Sequence, residues 1–172
     1  MDAFVQPLYE LADFDAIIRQ LKKPGIVQVS GCLDSQKAHF TNGLLREFPF
    51  RLIVAENDLK AKAFYEDFRL YDPEVLYYPA RDLIFYQADI HGNLLTRQRI
   101  QVLRALLERE EVTIVTSIDS CLDCLVPLAV WKEKVIKIRN DSEIDLDRMK
   151  RHLLELGYEW AAQVAVSYTH LT

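Results

Sequence analysis

The sequence predicts an α/β domain with three layers, in which helices cover both faces of a parallel sheet, followed by the start of a small α+β domain. Short apolar runs alternate with amphipathic helical patterns through the first two thirds of the chain. The runs at residues 51–55 and 112–116 are almost continuously apolar, which is typical of strands buried on both faces of a parallel sheet. From Lys132 the pattern changes to alternating apolar and charged residues, which indicates a half-exposed strand of a second domain.

The predicted elements follow from hydrophobic spacing and from the residues that interrupt it. Helical spacing ends at Pro24-Gly25, Pro49 and Gly157, and Ser35 is a suitable N-cap for the second helix. The predicted helices cover residues 14–23, 35–46, 58–70, 94–109, 122–125 and 145–156. The predicted strands cover residues 26–30, 51–55, 75–78, 112–116, 132–139 and 158–164, and residues 80–93 form a loop that packs on a partner surface.

Composition limits the possible functions. The chain has 172 residues, half of them hydrophobic, and a formal net charge of −5, which argues against a protein that coats nucleic acid. No run of about 18 apolar residues occurs and the N-terminus lacks a signal-peptide pattern, so we expect a cytoplasmic protein with no membrane partner. Three cysteines in such a setting are expected to be reduced thiols.

The most informative stretch is residues 29–40, which reads as a strand entering a helix through a tight loop. A phosphate-binding loop has the pattern G-x-x-x-x-G-K-[ST], because its backbone N–H groups and lysine hold phosphates and its hydroxyl holds magnesium. Gly31 and Lys37 match this pattern, but Gln36 replaces the second glycine and Ala38 replaces the hydroxyl residue. The remnant of the loop therefore comprises Gly31, Ser35, Gln36, Lys37 and Ala38.

Three interpretations of this loop remain open. It is a degenerate site in a nucleotide-binding fold, an ordinary turn between a strand and a helix, or a working nucleotide site that uses Lys37. The first is favoured, and we expect no functional cofactor-binding, catalytic or metal-ligating residue in the chain.

Glu56, after the second strand, could imitate an acidic nucleotide-binding residue. A glutamate in this place more often lies at the start of the next helix, where the helix dipole favours negative charge. No apolar run ends in Asp-Glu or Asp-Asp, which a helicase-type ATPase uses for magnesium.

Two other groups have alternative interpretations. Cys121 and Cys124 form a C-x-x-C pair, but a zinc site needs about four ligands and the histidines are scattered, so we expect small core residues, as for Cys32. Arginines 97, 99 and 104 share one predicted helix and could bind phosphates, but glutamates follow closely, so a solvated face of mixed charge is favoured.

Several segments together resemble the N-terminal region of the bacterial transcription-repair coupling factors (Mfd), whose first domains resemble the excision-repair protein UvrB. The match covers about residues 10–164. The segments that carry it are the impaired loop at 31–38, Tyr78-Pro79-Ala80-Arg81-Asp82, the helix 94–109 leading into 112–117, and Leu153-Leu154-Glu155-Leu156-Gly157-Tyr158 followed by Gln163-Val164.

This resemblance implies a domain organisation. Residues 1–130 would be a UvrB-like domain 1a with a RecA/helicase-like fold and a degenerate phosphate-binding loop. Residues 131–164 would be the first part of the inserted domain that binds UvrA in the family. Residues 165–172 do not match the family and are expected to be an artefactual tail.

The resemblance also implies a non-catalytic module that helps to recruit UvrA to RNA polymerase stalled at DNA damage. RNA polymerase and DNA would bind other parts of the parent protein, and the ATP- and magnesium-dependent translocase motor would lie outside this chain. No contact residue for UvrA can be carried over to this sequence. The alternatives are an active ATPase or helicase fragment that uses Lys37 and, less favoured because of the negative charge, direct DNA binding by the helix 94–109.

Overall fold

The computed structural model describes residues 4–81, 89–136, 138, 140–141 and 143–160. The chain divides into two compact units, Met1–Leu125 and Val126–Thr172. That these units correspond to the domains predicted at 1–130 and 131–164 stays a prediction.

The first unit begins with a helical layer around its own small core. A 3-10 helix at Gln6–Glu10 precedes α1 (Phe14–Leu21) and α2 (Asp34–Leu45). Their buried apolar side chains form one cluster of Val5, Leu8, Phe14, Ile18 and Leu44. A Cβ added to Gly43 of α2 would come within 3.0 Å of Phe14 Cζ, so the absence of a side chain there lets the two helices approach closely.

A parallel three-stranded sheet forms the centre of this unit. The strands are β1 (Phe50–Ala55), β2 (Leu76–Tyr78) and β3 (Val112–Ser117), in the spatial order β1-β3-β2. Phe50 pairs with Val112, and Leu76 pairs with Ile114. Every residue of β3 is buried, as expected for a central strand of a parallel sheet.

Helices cover both faces of the sheet. α3 (Asp58–Phe68) packs on one face, where Ala61 and Phe68 form one cluster with Ala38 of α2, Tyr77 and Val115. α4 (Asp89–Glu108) packs on the other face, where Val102 and Ala105 contact the apolar side chains of β2 and β3. The predicted α/β class with a parallel sheet is therefore confirmed, whereas the RecA/helicase-like details stay a prediction.

The strand predicted at residues 26–30 is wrong. This segment makes no strand pairing, and Ile26 is 99% exposed. A strand requires a hydrogen-bonded neighbour, whereas an apolar run in the sequence indicates only a tendency to be buried and does not specify a partner. β1 is an edge strand in the described structure, and its Phe50, Leu52 and Val54 side chains are between 45% and 62% exposed.

The helix predicted at 122–125 is wrong, because none of these residues is helical. The short α5 (Ile118–Cys121) lies just before them; the Ser117 side chain starts it by accepting a hydrogen bond from Ser120 N–H, and it ends at Cys121. The helices predicted around 14–23, 35–46, 58–70 and 145–156 are confirmed with small differences at their ends, and the helix predicted at 94–109 is confirmed but begins five residues earlier, at Asp89.

The second unit contains α6 (Leu128–Lys134) and α7 (Leu146–Glu155). α6 occupies part of the strand predicted at 132–139, so that prediction is wrong for the described residues. Pro127 is the N-cap, where its carbonyl accepts from Val130 N–H at 3.0 Å, and two lysines in the last turn complement the helix dipole. α7 ends as predicted at Gly157, whose φ of 88° allows Tyr158 N–H to donate to Leu153 O at 3.0 Å.

Other predictions fall partly on residues that the structure does not describe. In the loop predicted at 80–93, residues 82–88 are outside the described ranges, and a helix already begins at Asp89. In the strand predicted at 158–164, residues 158–160 are not in a strand and the others are outside the described ranges. The tail at 165–172 is outside them as well.

Candidate functional site

The impaired phosphate-binding loop lies between the exposed segment at 26–30 and α2. Gly31 has a φ of 89°, the left-handed conformation that favours glycine. Gln36 does not need this conformation, because α2 begins at Asp34 and Gln36 is already helical. Ser35 is also inside the helix, so the prediction that it is the N-cap is wrong; Leu33 holds the N-cap position.

Polar groups of the loop are paired with one another. The Gln36 side-chain oxygen accepts a hydrogen bond from Leu33 N–H at 3.2 Å. Lys37 Nζ lies 2.6 Å from Asp34 Oδ1, and this contact lowers the pKa of the Asp34 carboxyl. A working loop leaves its backbone N–H groups and its lysine available to phosphate. Here a loop N–H group and the lysine already have partners, and Asp34 adds a negative charge that repels phosphate.

Ala38 is part of the protein core. It is 2% exposed and packs in the cluster that contains Ala61 of α3 and Val115 of β3. A magnesium-binding hydroxyl at this position would be directed into apolar surroundings, where an unpaired hydroxyl is costly. The position therefore serves packing between α2 and α3.

Polar side chains close the carboxyl end of the sheet. Ser117 is fully buried, and its Oγ lies 2.9 Å from Ser120 Oγ and 3.5 Å from Asp58 Oδ1. Asp58 Oδ1 also accepts a hydrogen bond from Ala80 N–H at 3.1 Å. In open α/β sheets this end of the strands is where ligands bind. In the described part of the chain, these groups instead bind each other and tie β3 to the start of α3.

A cavity of about 370 Å³ lies beside this network, between α3 and α4. The Tyr65 and Tyr77 rings stack on its wall with centroids 5.3 Å apart. Burial raises the pKa of Tyr77 far above its usual range, so its hydroxyl stays neutral and donates to Asp58 O at 3.4 Å. The loop residues 31–38 are not among the described residues that line this cavity.

Glu56 lies beside α3. Its Oε2 pairs with Lys60 Nζ at 2.5 Å, and the neighbouring Asn57 caps the helix by accepting from Lys60 N–H at 2.9 Å. Glu56 is therefore an exposed residue at the start of a helix. Among the described residues, no group of three or more His, Cys, Asp or Glu side chains could hold a metal ion.

The arginines of α4 do not share one solvated face. Arg97 is exposed, and Arg104 pairs with Glu108 at 2.8 Å. The prediction is wrong for Arg99, whose side chain is only 8% exposed and pairs with Asp123 at 2.8 Å. The sequence carries a signal for this burial, since Arg99 lies four residues after Leu95 and four residues before the buried Leu103, which places it on the apolar face of the helix.

The cysteines are free thiols. Cys121 and Cys124 are exposed, so the prediction that they are core residues is wrong, and Cys32 is half-buried. Helix α5 ends at Cys121, so Cys124 lies outside the apolar helix that would have buried it.

Three relatives cover most of the chain. The transcription-repair-coupling factor of Bacillus subtilis is 28% identical over 170 residues, which is 96% of this chain. The UvrABC system protein B of Treponema denticola is 29% identical over 143 residues, or 83% of this chain. That of Thermosipho africanus is 31% identical over 121 residues, or 70% of this chain.

The homologues of this chain are transcription-repair-coupling factors and UvrB proteins. Their coverage is consistent with a UvrB-like N-terminal region of a transcription-repair-coupling factor. The chain spans only 14%, 20% and 18% of the lengths of the three relatives named above. No family model matches the sequence. In the part of the chain that the structure describes, no helix is both long and apolar enough to cross a bilayer.

Proposed function

We propose that this chain is a non-catalytic module of nucleotide excision repair, which presents a UvrB-like surface and helps to recruit UvrA to stalled RNA polymerase. Homology to transcription-repair-coupling factors and to UvrB supports an involvement in nucleotide excision repair. In this proposal, UvrA binds the complete inserted domain, of which residues 131–164 are the first part. RNA polymerase, DNA, ATP and magnesium bind other parts of the parent protein in the cytoplasm.

The observation that carries the non-catalytic role is the closed loop at the start of α2. Lys37 is paired with Asp34, and Leu33 N–H is bonded to Gln36. A phosphate bound here would have to displace both contacts, and it would lie next to the Asp34 carboxylate. The loop therefore supports a module that has kept the fold but does not bind nucleotide. A module that has kept its surface but not a nucleotide site is expected to act by binding other proteins.

The first test concerns UvrA and uses the parent protein with its complete inserted domain. We expect purified UvrA to be retained by the immobilised parent protein and to be lost when residues from 131 to the end of the inserted domain are deleted. Retention that is the same with and without this domain would contradict the assigned partner site.

The second test separates this proposal from an active ATPase fragment. Titration of the chain with ATP and magnesium is expected to show no saturable binding in the micromolar range, and Lys37→Ala is expected to change nothing. Lys23→Ala, which removes an exposed lysine outside the loop, is the matched control. Magnesium-dependent micromolar binding that Lys37→Ala abolishes and Lys23→Ala preserves would establish the rival function.

A further inference from the structure

Arg99 of α4 joins three segments of the first unit that are far apart in the sequence. Its Nη1 donates a hydrogen bond to Pro79 O at 2.7 Å. The same nitrogen forms an ion pair with Asp123 Oδ2 at 2.8 Å, with angles outside those of a hydrogen bond. Its Cζ lies 4.1 Å from the centre of the Tyr78 ring, which is within the range of a cation–π contact.

The partners of Arg99 have two different positions in the chain. Tyr78 and Pro79 end β2 and begin the segment that follows it. Asp123 follows α5 and lies two residues before Leu125, the last residue of the first unit. One buried guanidinium therefore holds both the segment after β2 and the segment at the end of the unit.

The arrangement leaves polar groups unsatisfied. Arg99 Nη2, the Tyr78 hydroxyl and Asp123 Oδ2 are buried without a hydrogen-bond partner among the described residues. Such groups carry the cost of lost hydration, which is recovered when they become exposed to water. Arg81 Nε of the segment after β2 lies 3.9 Å from Asp123 Oδ2 and is half exposed, so it is only a long, solvent-screened second contact of Asp123. The contact is thus held by the ion pair and hydrogen bond of Arg99 but is opposed by three buried polar atoms without a hydrogen-bond partner.

We propose that Arg99 and Asp123 form a latch that couples residues 79–81 after β2 to residues 122–125 at the end of the first unit. In the closed latch both segments are fixed against α4. Displacement of either segment breaks its contact with Arg99, and the buried guanidinium then loses a partner and releases the other segment. A molecule that binds one segment therefore changes the mobility of the other.

The test compares amide hydrogen exchange in the complete chain and in Asp123→Asn. The substitution keeps the size of the side chain and removes its charge. The reporting amides are that of Ala80, which donates to Asp58, and those at positions 122 and 123, which lie in the turn after α5. We expect all of them to exchange at least about tenfold faster, since opening exposes both segments, while the amides of β3 change by less than about twofold.

Two further variants make the result specific. Arg99→Lys keeps the positive charge but lacks the planar guanidinium that reaches Pro79, Asp123 and the Tyr78 ring together, so the same pattern is expected. Asp119→Asn removes a charge from an exposed residue of α5 and should leave all of these amides unchanged. The latch is overturned if Asp123→Asn changes only the amides at 122–123, if it changes none, or if β3 exchanges faster to the same extent.

Discussion

Single side chains decide whether the loop at the start of α2 can bind phosphate. The residues that depart from the phosphate-binding pattern have structural partners: Gln36 bonds to Leu33 N–H, and Ala38 packs in the core. Asp34, at a position that the pattern leaves open, pairs with Lys37. The departures from the phosphate-binding pattern are therefore matched by local contacts at the start of the helix.

The pairing of Lys37 with Asp34 predicts the titration of the carboxyl group. Because Lys37 lowers the pKa of Asp34, Lys37→Ala should raise it towards the ordinary value of about 3.9. A carboxyl whose pKa falls on folding stabilises the protein above its unfolded pKa, and this stabilisation is lost as the pH falls through the folded pKa. Carbon-detected NMR of the Asp34 side chain measures the shift.

Lys23→Ala is the control for this titration and should leave the Asp34 curve unchanged. An Asp34 pKa that is identical in the original chain and in Lys37→Ala would show that the two side chains are not paired in solution.

At the level of elements, residues near the ends of several helices determine where those helices begin or end. Asn57 caps α3 with a hydrogen bond from Lys60 N–H at 2.9 Å, and Gly157 ends α7 in a left-handed conformation. Such signals lie within a few residues of the element and can be read from the sequence. Ser35 is not the N-cap of α2, because Leu33 N–H bonds to the Gln36 side chain and the N-cap lies two residues earlier, at Leu33.

The cap of α3 gives a stability prediction. Asn57→Ala removes the acceptor of Lys60 N–H and should lower the free energy of unfolding by about 1 kcal/mol, because this N–H group loses its side-chain partner. Urea denaturation followed by circular dichroism measures the change. Gln101→Ala, at an exposed position inside α4, is the control and should change the stability by less than about 0.5 kcal/mol.

At the level of the whole molecule, the two units differ in how much they bury. The first contains a sheet with a cluster on each face and a third cluster among its N-terminal helices. In α6 and α7 of the second unit, no residue is buried, and Trp160 is 74% exposed. Since most of the stability of a helix comes from packing, the two units should differ in local stability.

Hydrogen exchange of the complete chain should show this difference. The amides of β3 are expected to exchange slowest, at rates set by global unfolding, because the strand is central and fully buried. The amides of α7 should exchange at least about a hundredfold faster, since a ten-residue helix without buried residues opens easily. Equal protection of β3 and α7 would show that α7 packs in a stable core.

The sequence by itself determined the α/β class, the positions of five helices and the departures of residues 31–38 from the phosphate-binding pattern. Periodicity, capping residues and the identities of Gln36 and Ala38 are local properties, and they do not depend on distant parts of the chain. The tertiary structure decided whether a segment joins the sheet and which residues enclose a buried charge. The apolar segment at 26–30 has no strand partner, and Arg99 is enclosed by Tyr78, Pro79 and Asp123, each at least 20 residues away. Strand pairing and the partners of Arg99 depend on such distant residues, so no local pattern could have revealed them.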